Sequence, residues 1–132
     1  MVIDIGGGTT EIAVIALSGI VCDQSIRVAG DEFTEDIIDY MRREHNLLIG
    51  ERTAESIKIH AGAAISKLDL APEPYAVNGR DLMSGIPRQI VIGHEEISEA
   101  LNKSIMKMRK LYSKLAKLHL NCLQTSTKLD FT

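Results

Sequence analysis

The apolar positions of this chain repeat first with the short rhythm of strands and later with the longer rhythm of helices. Residues 2–5, apolar but for Asp4, form a run that stops at three glycines and two threonines, and a second run over residues 12–17 follows Glu11 at once. Short runs rich in β-branched residues and bounded by glycine predict strands. Ser18-Gly19 and a further run over 20–28 make the second and third strands a β-hairpin. Both faces of 12–17 are apolar, which predicts a strand covered on both sides, inside a sheet with helices packed on it.

From residue 31 the period lengthens. Phe33, Ile37, Ile38, Tyr40 and Met41 make one apolar stripe; Asp31 stands at the N-cap position, Glu32 and Glu35 in the first turn, and Arg42 and Arg43 near the end. A helix over about 31–45 follows from that pattern. A second helix starts near Glu51, with Ala54, Ile57, Ala61, Ala64 and Ile65 on its inner side. Residues 69–93 are punctuated by Pro72, Pro74, Gly79, Gly85, Pro87 and Gly93, leaving short strands at 75–77 and 89–92, with residues 78–81 beginning their connection.

A long helix is predicted from Glu95. Ile97, Leu101, Ile105, Met108, Tyr112, Leu115 and Leu118 line one face, and Lys103, Lys107, Lys110, Lys114 and Lys117 line another. Such a basic amphipathic helix suits an anionic membrane or an acidic partner, or is simply a solvated lysine face. Residues 119–132 lose the pattern.

Composition sharpens this outline. The 132 residues, 45% hydrophobic with five aromatic side chains and no Trp, are enough for one aliphatic core. There is no apolar run long enough to span a membrane and no apolar leader, so the expected compartment is the cytoplasm. Cys22 and Cys122 read as reduced thiols, and His45, His60, His94 and His119 lack metal-ligand spacing. Charge is segregated: residues 1–100 hold eight Lys/Arg against seventeen Asp/Glu, whereas 101–132 hold seven Lys/Arg against Asp130 alone. No nucleic-acid partner is expected.

The candidate chemistry sits in the first loop. Gly6, Gly7 and Gly8 leave their backbone N–H groups open to close approach by an anion and reach dihedrals that other residues resist, while Thr9 and Thr10 add hydroxyl donors. Asp4, at the end of a strand, is placed to hold the waters of a Mg²⁺ ion. A tight hairpin turn would use the same glycines. Gly30 and Asp31 can touch a ligand at a helix N-terminus or serve only as a cap. Glu55 and Lys58, three apart on one helix face, are either a surface ion pair or a grip on the ribose and adenine edge of a nucleotide.

The run from Asp4 to Glu11 resembles the phosphate-2 loop of the actin, Hsp70 and sugar-kinase superfamily. Over residues 2 to about 106 the chain resembles the MreB/Mbl family of bacterial actins, which direct rod cell shape. The segments that carry the resemblance are VIDIGGGTTEIAVIALSGIV, SIRVAGDEF, IIDYMRREHNLLIGERTAESIKI, NGRDLMSGIPRQIVI and EEISEALNKSI. It implies an α/β fold: part of the second lobe of an actin-like ATPase, with a small α+β subdomain. The corresponding division is 1–50 for the partial nucleotide-binding lobe, 51–93 for the subdomain and 94–132 for the basic helix and a divergent tail.

The resemblance also implies ATP with Mg²⁺ as ligand. Asp4 would match the aspartate that positions Mg²⁺ and water, and Gly6, Gly7, Gly8 and Thr9 the cradle of the β- and γ-phosphates. Thr9 would also orient the attacking water. Glu55 and Lys58 would match the pair at the nucleoside, and Gly30 and Asp31 the turn beside the sugar and phosphates. Self-association into filaments, and partners in the membrane-associated cell-wall machinery, come with the family. The first phosphate loop, the catalytic glutamate and the later adenine-binding glycines of the family have no counterpart here, so the expectation is a partial chain that binds ATP weakly and does not hydrolyse it alone. A remnant without function, or a sugar-kinase or Hsp70-like member of the same superfold, are the competing readings.

Overall fold

The structure is a computed structural model that describes residues 1–16 and 18–126. Leu17, the tail 127–132 and the side chains of His119 and of residues 122–126 lie outside the described residues. Strands β1 (Val2–Ile5), β2 (Thr10–Ala16) and β3 (Gly19–Ile26) come first, followed by helix α1 (Gly30–His45), strand β4 (Leu47–Leu48) and helix α2 (Glu51–Ala61). Strands β5 (Tyr75–Asp81) and β6 (Pro87–Ile92) and the long helix α3 (His94–Ser126) complete the order.

The strands form two antiparallel sheets, β1-β2-β3 and β4-β5-β6. In the first, Ile5 stands opposite Thr10 and Ile3 opposite Ile12, so Ile3, Ile5, Thr10, Ile12 and Val14 share one face. That face looks toward α3, and Thr10, Ile12 and Val14 are buried there. The expectation of a strand covered on both sides fails. Glu11 and Ile15 point the other way and are exposed, because among the described residues no helix packs closely on their side of the sheet.

Helix α1 begins one residue before the expected start. Asp31 is not its cap: Ala29 occupies that position with no side-chain bond, and Asp31 lies inside the first turn. Asn46 ends the helix in the left-handed region at φ 51, donating its N–H to the Met41 carbonyl. Helix α2 stops at Ala61, which leaves Ala64 and Ile65 outside it and exposed. At Gly62 the backbone turns extended, and a Cβ there would lie 2.1 Å from the Lys58 carbonyl oxygen. The inward spacing therefore cannot continue past the glycine.

Residues 78–81 continue β5 rather than open a turn. Asp81 and Arg80 pair with Leu47 and Leu48 of β4, a two-residue strand too short to leave a periodic signal. Gly79 is needed where β4 crosses, since a Cβ would come within 2.7 Å of both Leu47 Cγ and the Leu48 carbonyl oxygen. The connection is instead 82–86, with Gly85 at φ 73. Asp81 organises this turn: its carboxylate accepts from the amides of Ser84 and Met83 and pairs with Arg88 at 3.0 Å.

The Ser84 amide, the Arg88 guanidinium and the Met83 amide hold the Asp81 carboxyl at about 2, below its ordinary 3.8. A folded-state pKa below the unfolded one means that the unfolded chain binds more protons between these values. The stability contributed by Asp81 is thus complete above about pH 4 and lost as pH falls toward 2. Asp81→Asn is expected to flatten that part of the acid limb in a denaturation series. An unchanged slope between pH 4 and 2 would remove Asp81 from the account.

Helix α3 runs antiparallel to α1, tied at three levels. His45 faces Glu96 at 3.3 Å, Ser104 donates to Asp36 at 2.5 Å, and Lys107 pairs with Glu32 at 2.5 Å. The helix continues through residues 119–126, where the apolar repeat had faded. Ile37, Met41, Leu47, Ala54, Ile57, Val77, Ile92, Ile97 and Leu101 form one buried cluster joining α1, α2, α3 and the second sheet. None of the described helices is long and apolar enough to cross a membrane.

Candidate functional site: a glycine loop stapled to a helix start

The β1–β2 connection is held from inside and from behind. Gly6 donates its N–H to the Thr9 carbonyl at 2.9 Å, closing the loop on itself. Two amides at the start of α1 then grip it: Gly30 donates to the Gly6 carbonyl at 3.1 Å and Asp31 to the Gly7 carbonyl at 2.8 Å. With the loop carbonyls drawn toward α1, the amides of Gly7, Gly8 and Thr9 donate to no protein acceptor among the described residues. Successive unpaired amides of this kind form an anion-binding concavity.

The glycines carry a second signal. None of Gly6, Gly7 and Gly8 has a positive φ, so left-handed geometry is not what selects them, contrary to the expectation from their sequence. Gly6 is crowded, with a Cβ meeting the Thr9 carbonyl oxygen at 3.3 Å. At Gly7 and Gly8, by contrast, an added Cβ would meet only the Asp31 carboxylate, at 3.5 and 3.8 Å. The protein leaves those two positions bare without needing the space for itself.

Lys58 reaches across from α2 to the same place. Its ammonium donates to the Gly30 carbonyl at 3.0 Å and to the Thr34 hydroxyl at 3.0 Å, and pairs with Glu55 at 2.7 Å. Gly30 permits this approach: its Cβ position lies 3.4 Å from the Gly6 oxygen and 3.5 Å from Lys58 Nζ. The Thr34 hydroxyl lies 2.9 Å from Glu55 Oε2 and 3.1 Å from the Gly30 carbonyl, and with one proton it donates to one of them at a time. The Lys58 ammonium and then the Thr34 hydroxyl hold the Glu55 carboxyl below the usual carboxylate range.

The structure therefore gathers Gly6, Gly7, Gly8, Thr9, Gly30, Asp31, Glu55 and Lys58 around one loop. Thr9 is exposed at its edge. Asp4 is exposed on β1, opposite Glu11, and its carboxylate has no hydrogen-bond or ion-pair partner among the described residues. Thr10 does not belong with them. Its hydroxyl is buried and donates to the Val28 carbonyl at 2.6 Å, bracing the hairpin rather than facing the loop mouth. Thr34 was missed because a threonine inside a helix carries no local mark; only the packing of α2 on α1 gives its hydroxyl two partners.

No group of three or more metal-binding side chains occurs among the described residues. A divalent cation here would take a carboxylate from the protein and its other ligands from phosphates and water, the habit of Mg²⁺. Asp4, two residues before Gly6, and Asp31, whose carboxylate lies beside Gly7 and Gly8, are carboxylates at the loop. Asp31 beside Gly7 and Gly8 also discourages a bare polyanion and favours one that arrives with a cation.

Comparison with known proteins places the chain in a family. Residues 1–120 match the family model described as MreB/Mbl protein. The chain is 50% identical over 105 residues to the cell shape-determining protein Mbl of Bacillus subtilis, covering 80% of this chain and 31% of that one. It is 48% identical over 105 residues to the cell shape-determining protein MreB of Escherichia coli, covering 80% and 30%. It thus spans about a third of the length of the curated relatives it matches. Among solved structures, MreB5 of Spiroplasma citri bound to AMPPNP is similar with a TM-score of 0.81 and 40% identity, over 87% of this chain and 34% of that chain, and so is its ADP-bound form. A MamK double helical filament, at 21% identity and a TM-score of 0.63, shares the fold.

Proposed function

This chain belongs to the MreB/Mbl family and has its actin-like fold, and on that premise we propose that it carries one wall of a nucleotide site in an ATP-binding, filament-forming protein that determines rod cell shape. The observation that carries the reading is the pair of bare glycines, Gly7 and Gly8, whose amides stand unpaired beside a helix start. The AMPPNP- and ADP-bound MreB5 structures support a nucleoside polyphosphate as the anion. The cell-shape role of the Mbl and MreB relatives supports the cytoskeletal reading over a kinase or chaperone of the same superfold.

The residues divide the work by chemistry. The amides of Gly7, Gly8 and Thr9 bind terminal phosphates, and the Thr9 hydroxyl at the loop edge orients water. Asp4 is the carboxylate for Mg²⁺, which when bound offsets the phosphate charge. Lys58 and Glu55 face the nucleoside, already oriented by Gly30 and Thr34. Phosphoryl transfer needs charge stabilisation around the whole transferred group. One wall alone binds nucleotide weakly and does not hydrolyse it. Filament formation, contact with the cell-wall machinery and a cytoplasmic location belong to the same proposal.

Thermal unfolding with and without millimolar Mg-ATP tests it. A ligand that binds only the folded state adds RT ln(1 + [L]/Kd), so with Kd in the same millimolar range the midpoint should rise by about a degree or more. Asp4→Ala should remove the part of the rise that depends on Mg²⁺. A cooperative transition indifferent to Mg-ATP would sink the nucleotide reading.

A further inference from the structure

The peptide group between Gly30 and Asp31 is gripped at both ends. Its N–H, on Asp31, donates to the Gly7 carbonyl at 2.8 Å; its oxygen, on Gly30, accepts from the Lys58 ammonium at 3.0 Å and lies 3.1 Å from the Thr34 hydroxyl. The Gly7 carbonyl belongs in turn to the peptide whose N–H is that of Gly8, one of the unpaired loop amides. A continuous chain of hydrogen bonds thus runs from α2, through one peptide of α1, to an open loop amide. Donors on an amide oxygen polarise the whole amide and make its N–H a stronger donor, so the effect passes along such a chain. The Lys58 ammonium has three N–H bonds and three acceptors around it: the Gly30 carbonyl, the Thr34 hydroxyl oxygen at 3.0 Å and Glu55 Oε2 at 2.7 Å. Its charge is therefore committed within the protein. Glu55 differs: its side chain is 48% exposed, and Oε1 has no hydrogen-bond or ion-pair partner among the described residues. An open carboxylate oxygen accepts from hydroxyls, and ribose presents a pair of them.

We propose that Thr34 is a positioning residue that couples the two halves of the site, carrying occupancy of Glu55 to the Gly8 amide through the Gly30–Asp31 peptide, a coupling that rests on the nucleotide reading above. Thr34 is 5% exposed and accepts from Lys58, and its single proton has two acceptors, Glu55 Oε2 at 2.9 Å and the Gly30 oxygen at 3.1 Å. Without nucleoside the carboxylate takes that proton, since a charged acceptor makes the stronger bond. A ribose hydroxyl donating to Glu55 satisfies part of the carboxylate's charge, and the Thr34 O–H turns to the Gly30 oxygen. That oxygen then holds both donors, the Asp31 N–H tightens on Gly7, and the Gly8 amide becomes the better donor to a phosphate. The only rearrangement required is the rotation of one hydroxyl. By linkage, a phosphate on the loop strengthens nucleoside binding by the same factor.

Amide resonances of the full ¹⁵N-labelled chain, titrated with adenosine, Mg-tripolyphosphate and Mg-ATP, decide the matter. Adenosine alone should move the Gly8 amide proton downfield, although Gly8 belongs to the phosphate half. It should also tighten Mg-tripolyphosphate by roughly twofold to tenfold, the worth of about one hydrogen bond. Thr34→Val keeps the shape of the side chain and removes the hydroxyl. This variant should bind Mg-tripolyphosphate equally with and without adenosine, whereas Thr34→Ser should couple like the parent. A Thr34→Val chain with a lower unfolding midpoint but an unchanged Gly8 response to adenosine would make Thr34 merely structural and overturn the proposal. So would an unchanged affinity of the parent chain for Mg-tripolyphosphate in the presence of adenosine, a result that depends on no variant. Failure of the parent chain to bind either Mg-tripolyphosphate or Mg-ATP would instead sink the nucleotide reading, and the coupling with it.

Discussion

Ile57→Ala is expected to lower the unfolding free energy by about 2–5 kcal/mol, the range for truncating a buried aliphatic side chain. Ile57 is fully buried on α2 and belongs to the cluster that joins this helix to α1, the second sheet and α3. Its near neighbours on the same helix face, Ala54 and Ala61, are too short to close the gap. Domains of this size are stable by only about 5–15 kcal/mol, so the loss is a large share of the whole. Ile57→Val, which removes one methyl group, should cost about 0.5–1.5 kcal/mol. Urea unfolding of both variants checks the pair. If alanine costs no more than valine, α2 does not close the core. Lys58 is the next residue, so loosening α2 should also weaken any nucleotide-dependent rise in stability.

Gly7→Val should have the opposite profile: little change in stability and complete loss of the Mg-ATP-induced shift. The φ of Gly7 is not in the left-handed region, and its Cβ position meets nothing closer than the Asp31 carboxylate at 3.5 Å. A side chain is therefore accommodated by the protein, and a less flexible unfolded chain offsets any minor strain to within about 1 kcal/mol. What it obstructs is the approach of a phosphate to the loop amides. Thermal unfolding without ligand reads the first half of this expectation, and the same scan with Mg-ATP reads the second. Retention of the shift would mean that the loop is a structural turn, whatever binds elsewhere.

These two variants mark where the chain could be read from its letters and where it could not. The loop was legible because glycine, aspartate and threonine in one short run combine open backbone, charge and hydroxyls. Helix α1 was legible because its stripe, its first-turn acids and its last-turn arginines agree; only the cap was misplaced, since Asp31 gives its amide to Gly7 instead of capping with its carboxylate. Glu55 and Lys58 announced themselves as a pair by spacing. Their attachment to the loop was not in that spacing, because it runs through Gly30 and Thr34 on another helix.

The errors share a cause. Residues 78–81 look like a turn by composition, yet they form a strand because β4, only two residues long, lies across them and requires a glycine there. Ala64 and Ile65 fit the inward spacing of α2, but the backbone turns at Gly62 before they are reached. The run over residues 12–17 is apolar on both faces, and among the described residues burial falls mainly on one because helix α3 packs against that side of the sheet. Thr10 looked like a ligand donor beside Thr9, and the alternation of a strand sent it inward to Val28 instead.

The sequence by itself determined the family, the order of strands and helices, the charge segregation along the chain and the position of the glycine loop, since each depends on residues close together in the chain. Tertiary structure alone decided which face of each strand is buried, where α2 ends, that α3 lies antiparallel along α1, and that a lysine from α2 reaches the helix start that holds the glycine loop. Those outcomes depend on contacts between residues far apart in sequence, whose free energy is set by packing and by hydrogen bonds that no local pattern encodes.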